Sequence, residues 1–236
     1  MFNTPDSYSV IINKRRIQKG FDFLCPFYDV LTTAFFGVSL ITSQTYFIPQ
    51  LKKKQAALIL GGGTGTLLLE LLRKDIAEKY YYLDISKNMI RKTQKKVLKQ
   101  FPEQFHKIIF ECGSYENCES FQPVDLIVTP YILDCFSQQE TRQIMKMLHG
   151  KLKQNGQWLF IDFNTTGQSN LVALVSRWII RILYLFFNLV CNIQVKKLPD
   201  FSTCFSELNL LVTHEKYFMR KMLVGRIYEM RESEGV

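Results

Sequence analysis

The run Leu58-Ile59-Leu60-Gly61-Gly62-Gly63-Thr64-Gly65-Thr66 carries an apolar strand into four glycines within five residues. Leu67-Leu68-Leu69-Glu70-Leu71-Leu72 continues it as a helix. A strand that turns through glycines into a helix aims backbone N–H groups and the positive helix end at a ligand. Glycine is needed wherever the ligand lies against the backbone, because a side chain would occupy that space. Nineteen residues after Gly65 stands Asp84, at the end of the next apolar run. In a βαβ unit this spacing sets a carboxylate beside the turn, where it accepts hydrogen bonds from two ribose hydroxyls.

On either side of the turn, short apolar runs alternate with amphipathic stretches. Strands are expected at 56–61, 79–85, 106–112, 124–130 and 156–163, with helices at 87–101 and 139–153. That alternation argues for parallel βαβ units with helices on both faces. The runs 212–219 and 222–230 are too close together for anything but an antiparallel hairpin. The expected class is therefore α/β, a doubly wound, mostly parallel seven-stranded sheet with an antiparallel C-terminal hairpin. Two short aromatic helices are expected within 21–51. The chain divides into a helical cap at 1–51, an α/β core at 52–168, and a cover helix plus hairpin at 169–236 that completes the same domain.

At 236 residues and 14% aromatic content, a solvated coil is excluded and one large core is expected. Thirty basic against 21 acidic residues give a net charge of +9, which suits a polyanion or an anionic membrane surface and says nothing of fold. The six cysteines show no CxxC and no Cys/His ligand spacing, so no metal site is expected and the thiols read as reduced. The start of the chain lacks a basic segment followed by an apolar run, so no signal peptide is expected, and the reduced thiols suit a cytoplasmic protein. Residues 171–195 are long enough to span a bilayer, but Arg177, Arg181, Tyr184, Asn188 and Asn192 fall on one stripe of a helix. Such a helix suits a core, a partner or a membrane interface better than a crossing.

Several segments together resemble the class I S-adenosyl-L-methionine-dependent methyltransferases. LILGGGTGTLLLEL is similar to their glycine motif, YYYLDISKNMI to the second motif, and VDLIVTPYILDCF and NGQWLFIDF to the fourth- and fifth-strand motifs. The terminal hairpin fits as well, since that family closes its sheet with an antiparallel last strand. FDFLCPFYDVL resembles the aromatic N-terminal helix of the small-molecule group around ubiquinone and menaquinone biosynthesis. The resemblance implies a Rossmann-like methyltransferase fold. It further implies a cofactor site built from Tyr28, Gly61, Gly62, Gly63, Gly65, Asp84, Ile85, Ser114, Tyr115, Thr129 and Tyr131. There are departures. Ile59 stands where the family has an acid, Gly113-Ser114-Tyr115 lacks the usual acid after the third strand, and Leu133-Asp134-Cys135-Phe136 replaces a His-His continuation.

Asp134 and Asp162, at the carboxyl ends of strands four and five, are the candidate general bases for an acceptor that must lose a proton. The breadth of the apolar surface at 171–195 suggests a hydrophobic, small-molecule acceptor: quinone-, polyketide- or lipid-like. Together with the basic helix carrying Lys87, Arg91, Lys92, Lys95, Lys96 and Lys99, it suggests peripheral contact with an anionic membrane. Three other readings compete. Thr129-Pro130-Tyr131 faintly resembles the turn of nucleic-acid amino-methyltransferases, but no separate target-recognition segment is visible. Ile59 and Ser114 leave room for a non-catalytic S-adenosylmethionine-binding module. A dinucleotide oxidoreductase would need glycine where Thr66 stands.

Overall fold

The computed structural model describes residues 7–167, 170–193, 195 and 197–230. Seven strands form one sheet: β1 (Lys54–Leu60), β2 (Ala77–Asp84), β3 (Ile108–Cys112), β4 (Val124–Pro130), β5 (Leu152–Phe163), β6 (Leu210–Phe218) and β7 (Leu223–Met230). Their order is β3-β2-β1-β4-β5-β7-β6, parallel throughout except for the last two. The sheet is thus the expected doubly wound, mostly parallel one. The hairpin turn contains no glycine; Met219, Arg220 and Lys221 all take positive φ to close it.

Period-two alternation sends successive side chains of each strand to opposite layers. Ala57, Ile59, Tyr80, Tyr82, Leu126 and Val128 pack with leucines of one helix and with Ile90 and Val97 of another. Leu58, Leu60, Tyr81, Leu83, Ile127, Trp158 and Phe160 face the other layer. Ile59, at the position where the resembled family has an acid, is fully buried in the first of these layers.

The helices are α1 (Ser7–Leu24), α2 (Tyr28–Phe36), α3 (Ser39–Thr45), α4 (Thr66–Arg73), α5 (Lys87–Gln100), α6 (Gln138–His149), α7 (Asn170–Cys191) and α8 (Phe201–Glu207). The expectation of two helices within 21–51 falls short: α1 begins much earlier, and a third helix follows α2. Gly20 permits the early helix to lie against α7, since a Cβ there would stand 2.4 Å from Cys191 Cα. The helix expected through residue 153 stops at His149, followed by Gly150, and β5 starts sooner than its apolar run suggests. His106, placed in a strand by the sequence, lies in a 3-10 turn at Pro102–Lys107.

Helices α1, α2, α3 and α7 form a further layer beside the carboxyl end of the sheet. Phe36, Leu40, Phe163, Ile180, Leu183 and Tyr184 make its main apolar seam. On α7, Tyr184 turns inward and donates to the Asp134 carbonyl at 3.3 Å, while Arg181 and Asn188 are exposed; the Arg177 side chain lies outside the described residues. No helix among the described residues is long and apolar enough to cross a membrane.

Candidate cofactor and acceptor site

Strand β1 lies between β2 and β4, so the connections leaving β1 and β4 depart to opposite faces and open a crevice at the sheet's carboxyl edge. A cavity of about 460 Å³ fills that crevice. Its lining includes Tyr28, Gly61, Gly63, Asp84, Ile85, Ser114 and Tyr115 among the residues singled out from sequence. Gly62, Gly65, Thr129, Tyr131, Asp134 and Asp162 are not in its lining.

The glycines divide by role. Gly61, Gly63 and Gly65 take φ of +70°, +61° and +84°, a region that side chains disfavour. A Cβ on Gly62 would stand 2.3 Å from the Tyr82 ring, and one on Gly65 would stand 2.5 Å from Thr93. These two glycines let β2 and α5 pack against the turn. A Cβ on Gly61 would collide with Ile132. Gly63 differs: nothing approaches its Cβ position closer than the Tyr28 ring at 3.9 Å. A side chain there would enter the cavity.

Asp84 is the buried acid of the site. Gly63 N–H donates to its Oδ2 and Ser86 N–H to its Oδ1, both at 2.9 Å. Burial pushes its pKa up to about 6, against the opposing pull of those two N–H groups. The turn is clamped from behind by Tyr82 and Thr93, whose hydroxyls donate to the Gly63 carbonyl at 2.9 and 3.2 Å.

Both acidic residues of 7–51 tie the helical layer to this framework. Asp29 Oδ1 accepts from the Thr64 hydroxyl at 2.6 Å, and its other oxygen lies 3.0 Å from Lys92 and 3.4 Å from Lys96. Burial raises the Asp29 pKa, but the Thr64 and Lys92 contacts outweigh it and hold the carboxyl below its ordinary value. Tyr28, the preceding residue, is thereby set over Gly63. Desolvation keeps its phenol protonated well above the usual range, with neighbouring thiol and carboxyl groups adding to the effect. Asp22 accepts from the Ser86 hydroxyl at 2.6 Å and from Asn88 N–H at 2.9 Å. Farther along α1, Lys14 pairs with Glu116 at 2.6 Å and lies 5.9 Å from the Tyr115 ring, while the Ser114 hydroxyl donates to Glu116. Sequence reading missed Lys14, Asp22, Asp29 and Glu116; an acid two residues beyond Ser114 was the one available signal.

The remaining candidates sit behind or beside the cavity. Thr129 is fully buried and accepts from Trp158 Nε1 at 2.9 Å. Asp162 is also fully buried, accepting from Phe163 N–H at 2.8 Å and Asp134 N–H at 3.3 Å. The Cys135 thiol donates to Asp134 Oδ1 at 3.6 Å, and Cys135 itself lines the cavity. Burial pushes Asp134 up to about 7, and burial together with the Asp134 charge raises Asp162 well above the ordinary carboxylate range. Tyr131, at φ +51°, shares a 2.5 Å hydrogen bond with Ser43 and lines a second, smaller cavity of about 60 Å³. Leu31, Phe35, Phe36, Leu183 and Phe187 contribute to that slot, and Tyr28 belongs to both cavities.

These features meet known proteins at the level of fold. The family described as Methyltransferase domain matches residues 58–158, from within β1 to within β5. The fold is that of the class I methyltransferases. The YcgJ protein of Bacillus subtilis superposes with a TM-score of 0.55 at 17% identity, covering 75% of this chain and 72% of its own. An O-methyltransferase family protein from Burkholderia thailandensis gives 0.58 at 17% identity, covering 91% of this chain, which in turn spans 59% of that protein. The mitomycin 7-O-methyltransferase MmcR gives 0.61 at 13% identity, with 94% and 67% covered. Among curated proteins no relative matches.

Proposed function

We propose that this chain is an S-adenosyl-L-methionine-dependent methyltransferase acting on a small hydrophobic acceptor. The observation that carries the reading is the Asp84 carboxylate at the mouth of β2, held by Gly63 and Ser86 N–H groups and lining a cavity whose floor is the open face of Gly63. A carboxylate so held keeps lone pairs free for the two ribose hydroxyls, and its raised pKa marks a charge awaiting such donors. Ile85, Met89, Ile132 and Phe136 supply apolar walls for a planar base. Glu116, at the β3 end, is suited to accept from an exocyclic amine, which replaces the carboxylate missing at Ser114.

When bound, the cofactor supplies an electrophilic methyl for in-line displacement. The chain's part is to align the acceptor and exclude water. Tyr28, common to both cavities, forms the boundary across which the acceptor atom is presented. Beyond it lies a slot of almost wholly apolar lining, which favours quinone-, polyketide- or lipid-like molecules over polar ones. Asp134 serves as proton acceptor for an acceptor of high pKa only through the Cys135 thiol; a phenol or amine dispenses with it.

Thermal-shift titration tests the cofactor assignment. S-adenosylmethionine and S-adenosylhomocysteine raise the unfolding temperature, whereas NAD and NADP leave it unchanged. Stabilisation by NAD alone would reverse the reading.

A further inference from the structure

Helix α7 carries Leu174, Trp178, Ile182, Leu185 and Leu189 on its outer side, spaced 4, 4, 3 and 4, and all are exposed. Leu189 is 87% and Leu185 70% accessible, values unusual for leucine on a helix already packed along its other face. Phe23, Phe27 and Val30 add exposed apolar surface at the junction of α1 and α2. Helix α1 lies against α7: Asn192 bonds to Asn13 at 2.6 Å, and the Phe21 and Phe187 rings are 6.1 Å apart. An apolar surface of this extent marks a partner or a membrane.

Charge selects between them. Helix α7 contains no acidic residue, and Arg181 sits 6.0 Å from the Trp178 ring. On α1 the exposed Arg15, Arg16 and Lys19 run along the face that continues to Phe23. The acids of this layer, Asp22 and Asp29, are both engaged by groups of the α/β core, Ser86 and Asn88 for the first and Thr64 and Lys92 for the second. The face is therefore apolar and basic together. A second copy of the chain would bring the same cations against each other, which opposes self-association. Anionic lipid headgroups over an acyl layer match both properties, and Trp beside Arg is the pairing that suits the interfacial level.

We infer that the outer face of α1, α2 and α7 docks on an anionic lipid membrane. Helix α7 lies in the headgroup region with its leucine stripe toward the acyl chains. The apolar slot runs between α2 and α7, so a bilayer-dissolved acceptor reaches Tyr28 from the docked side. That last step rests on the proposed methyl transfer; docking itself does not.

The test uses the full chain with vesicles of phosphatidylcholine and phosphatidylglycerol in equal parts, and of phosphatidylcholine alone. Co-sedimentation is read together with tryptophan emission, which reports on Trp178 because Trp158 is fully buried. Binding to the anionic vesicles, a blue-shifted emission, and marked weakening at high salt are expected. Leu185→Glu with Leu189→Glu abolishes binding, and Arg15→Glu with Arg16→Glu lowers it by about tenfold or more. Both pairs of substitutions leave unfolding temperature and S-adenosylhomocysteine affinity unchanged. Absence of binding to either vesicle overturns the inference, as do variants that bind like the parent. So does light scattering that shows a dimer which the leucine variant converts to monomer. Vesicle binding without S-adenosylhomocysteine binding would remove the methyl-transfer reading and leave docking standing; the reverse would remove docking alone.

Discussion

Replacing Asp84 by Asn separates ligand recognition from folding. In the free protein the carboxyl is lifted from its ordinary 3.8 to about 6. Holding it charged at neutral pH therefore costs about 3 kcal/mol. Asn removes that cost but can accept from only one of the two N–H donors, Gly63 and Ser86; leaving the other against an amide NH₂ costs about 1–3 kcal/mol. The two effects nearly cancel, so the unfolding temperature of Asp84→Asn stays close to that of the parent near pH 8. Binding has no such compensation. Two ribose hydroxyls on a carboxylate are worth about 1.5–3 kcal/mol each, so S-adenosylhomocysteine affinity falls by about 10²–10⁴-fold.

Calorimetric titration measures that loss, and pH supplies an independent arm. Below about pH 6 the free carboxyl takes up a proton and accepts less well, so parent affinity declines by up to about tenfold per further unit of acidity. The Asn variant shows no such decline. An affinity within twofold of the parent, or an Asn variant that keeps the parent's pH profile, would refute the ribose assignment and the cofactor reading with it.

Gly63→Ala and Gly62→Ala should fail differently: the first folds, with about 1–2 kcal/mol of left-handed strain, and loses cofactor binding by calorimetry. The second, 2.3 Å from the Tyr82 ring, lowers the unfolding temperature through overpacking of about 1–3 kcal/mol. Asp29→Ala frees Tyr28 and α2 from Thr64 and Lys92, so the S-adenosylhomocysteine off-rate by stopped-flow rises about tenfold or more while the unfolding temperature changes little. Asp134 holds its proton to about pH 7 in the folded protein and to near 4 when unfolded, so stability of the free protein is greatest below pH 4 as far as this group is concerned and is lost as pH rises through 7. Denaturant unfolding at pH 5 and 8 should show the drop, and Asp134→Asn should reduce it; an equal drop in the variant would place the titration elsewhere.

Much of the sheet was legible because its signals are local. Tyr80-Tyr81-Tyr82 and Leu58-Ile59-Leu60 are continuous apolar runs of strands buried on both faces, and the glycine turn and Asp84 lie one crossover apart. The 219–222 connection is too short for a crossover, so the hairpin followed. Helix α1 was not legible, because its exposed cations mask its apolar face and Gly20 reads as a breaker until α7 is seen against it. Nor was α8, whose seven residues start at an Asp200 cap and offer less than two helical turns of pattern. At the site, residues at the carboxyl ends of β1, β2 and β3 were found, with Tyr28 of α2. Those joining distant segments were not, because nothing in the Asp29 neighbourhood announces Thr64 or Lys92. Asp162 and Asp134 stand at strand ends, as sequence indicates, but Tyr184 of α7 reaches over to the Asp134 carbonyl and the layer covers that end of the sheet. Which strand ends stay open is a property of the cover.

The α1–α2 pair is joined to the rest of the molecule by two unlike seams. Toward the cofactor cavity its ties are polar: Lys14 with Glu116, Asp22 with Ser86 and Asn88, Asp29 with Thr64 and Lys92. The ion pairs among them have side chains roughly one-third exposed, and such pairs contribute about 0–1 kcal/mol each. Toward α7 and the hairpin the seam is apolar, with Phe36, Phe163, Leu183 and Leu223 buried; burying each such side chain contributes about 1.5–3 kcal/mol. The weaker seam opens first. On these magnitudes the polar ties of α1 and α2 break before the apolar seam in partial unfolding, and the slot walled by Phe36, Phe163 and Leu183 belongs to the stronger seam.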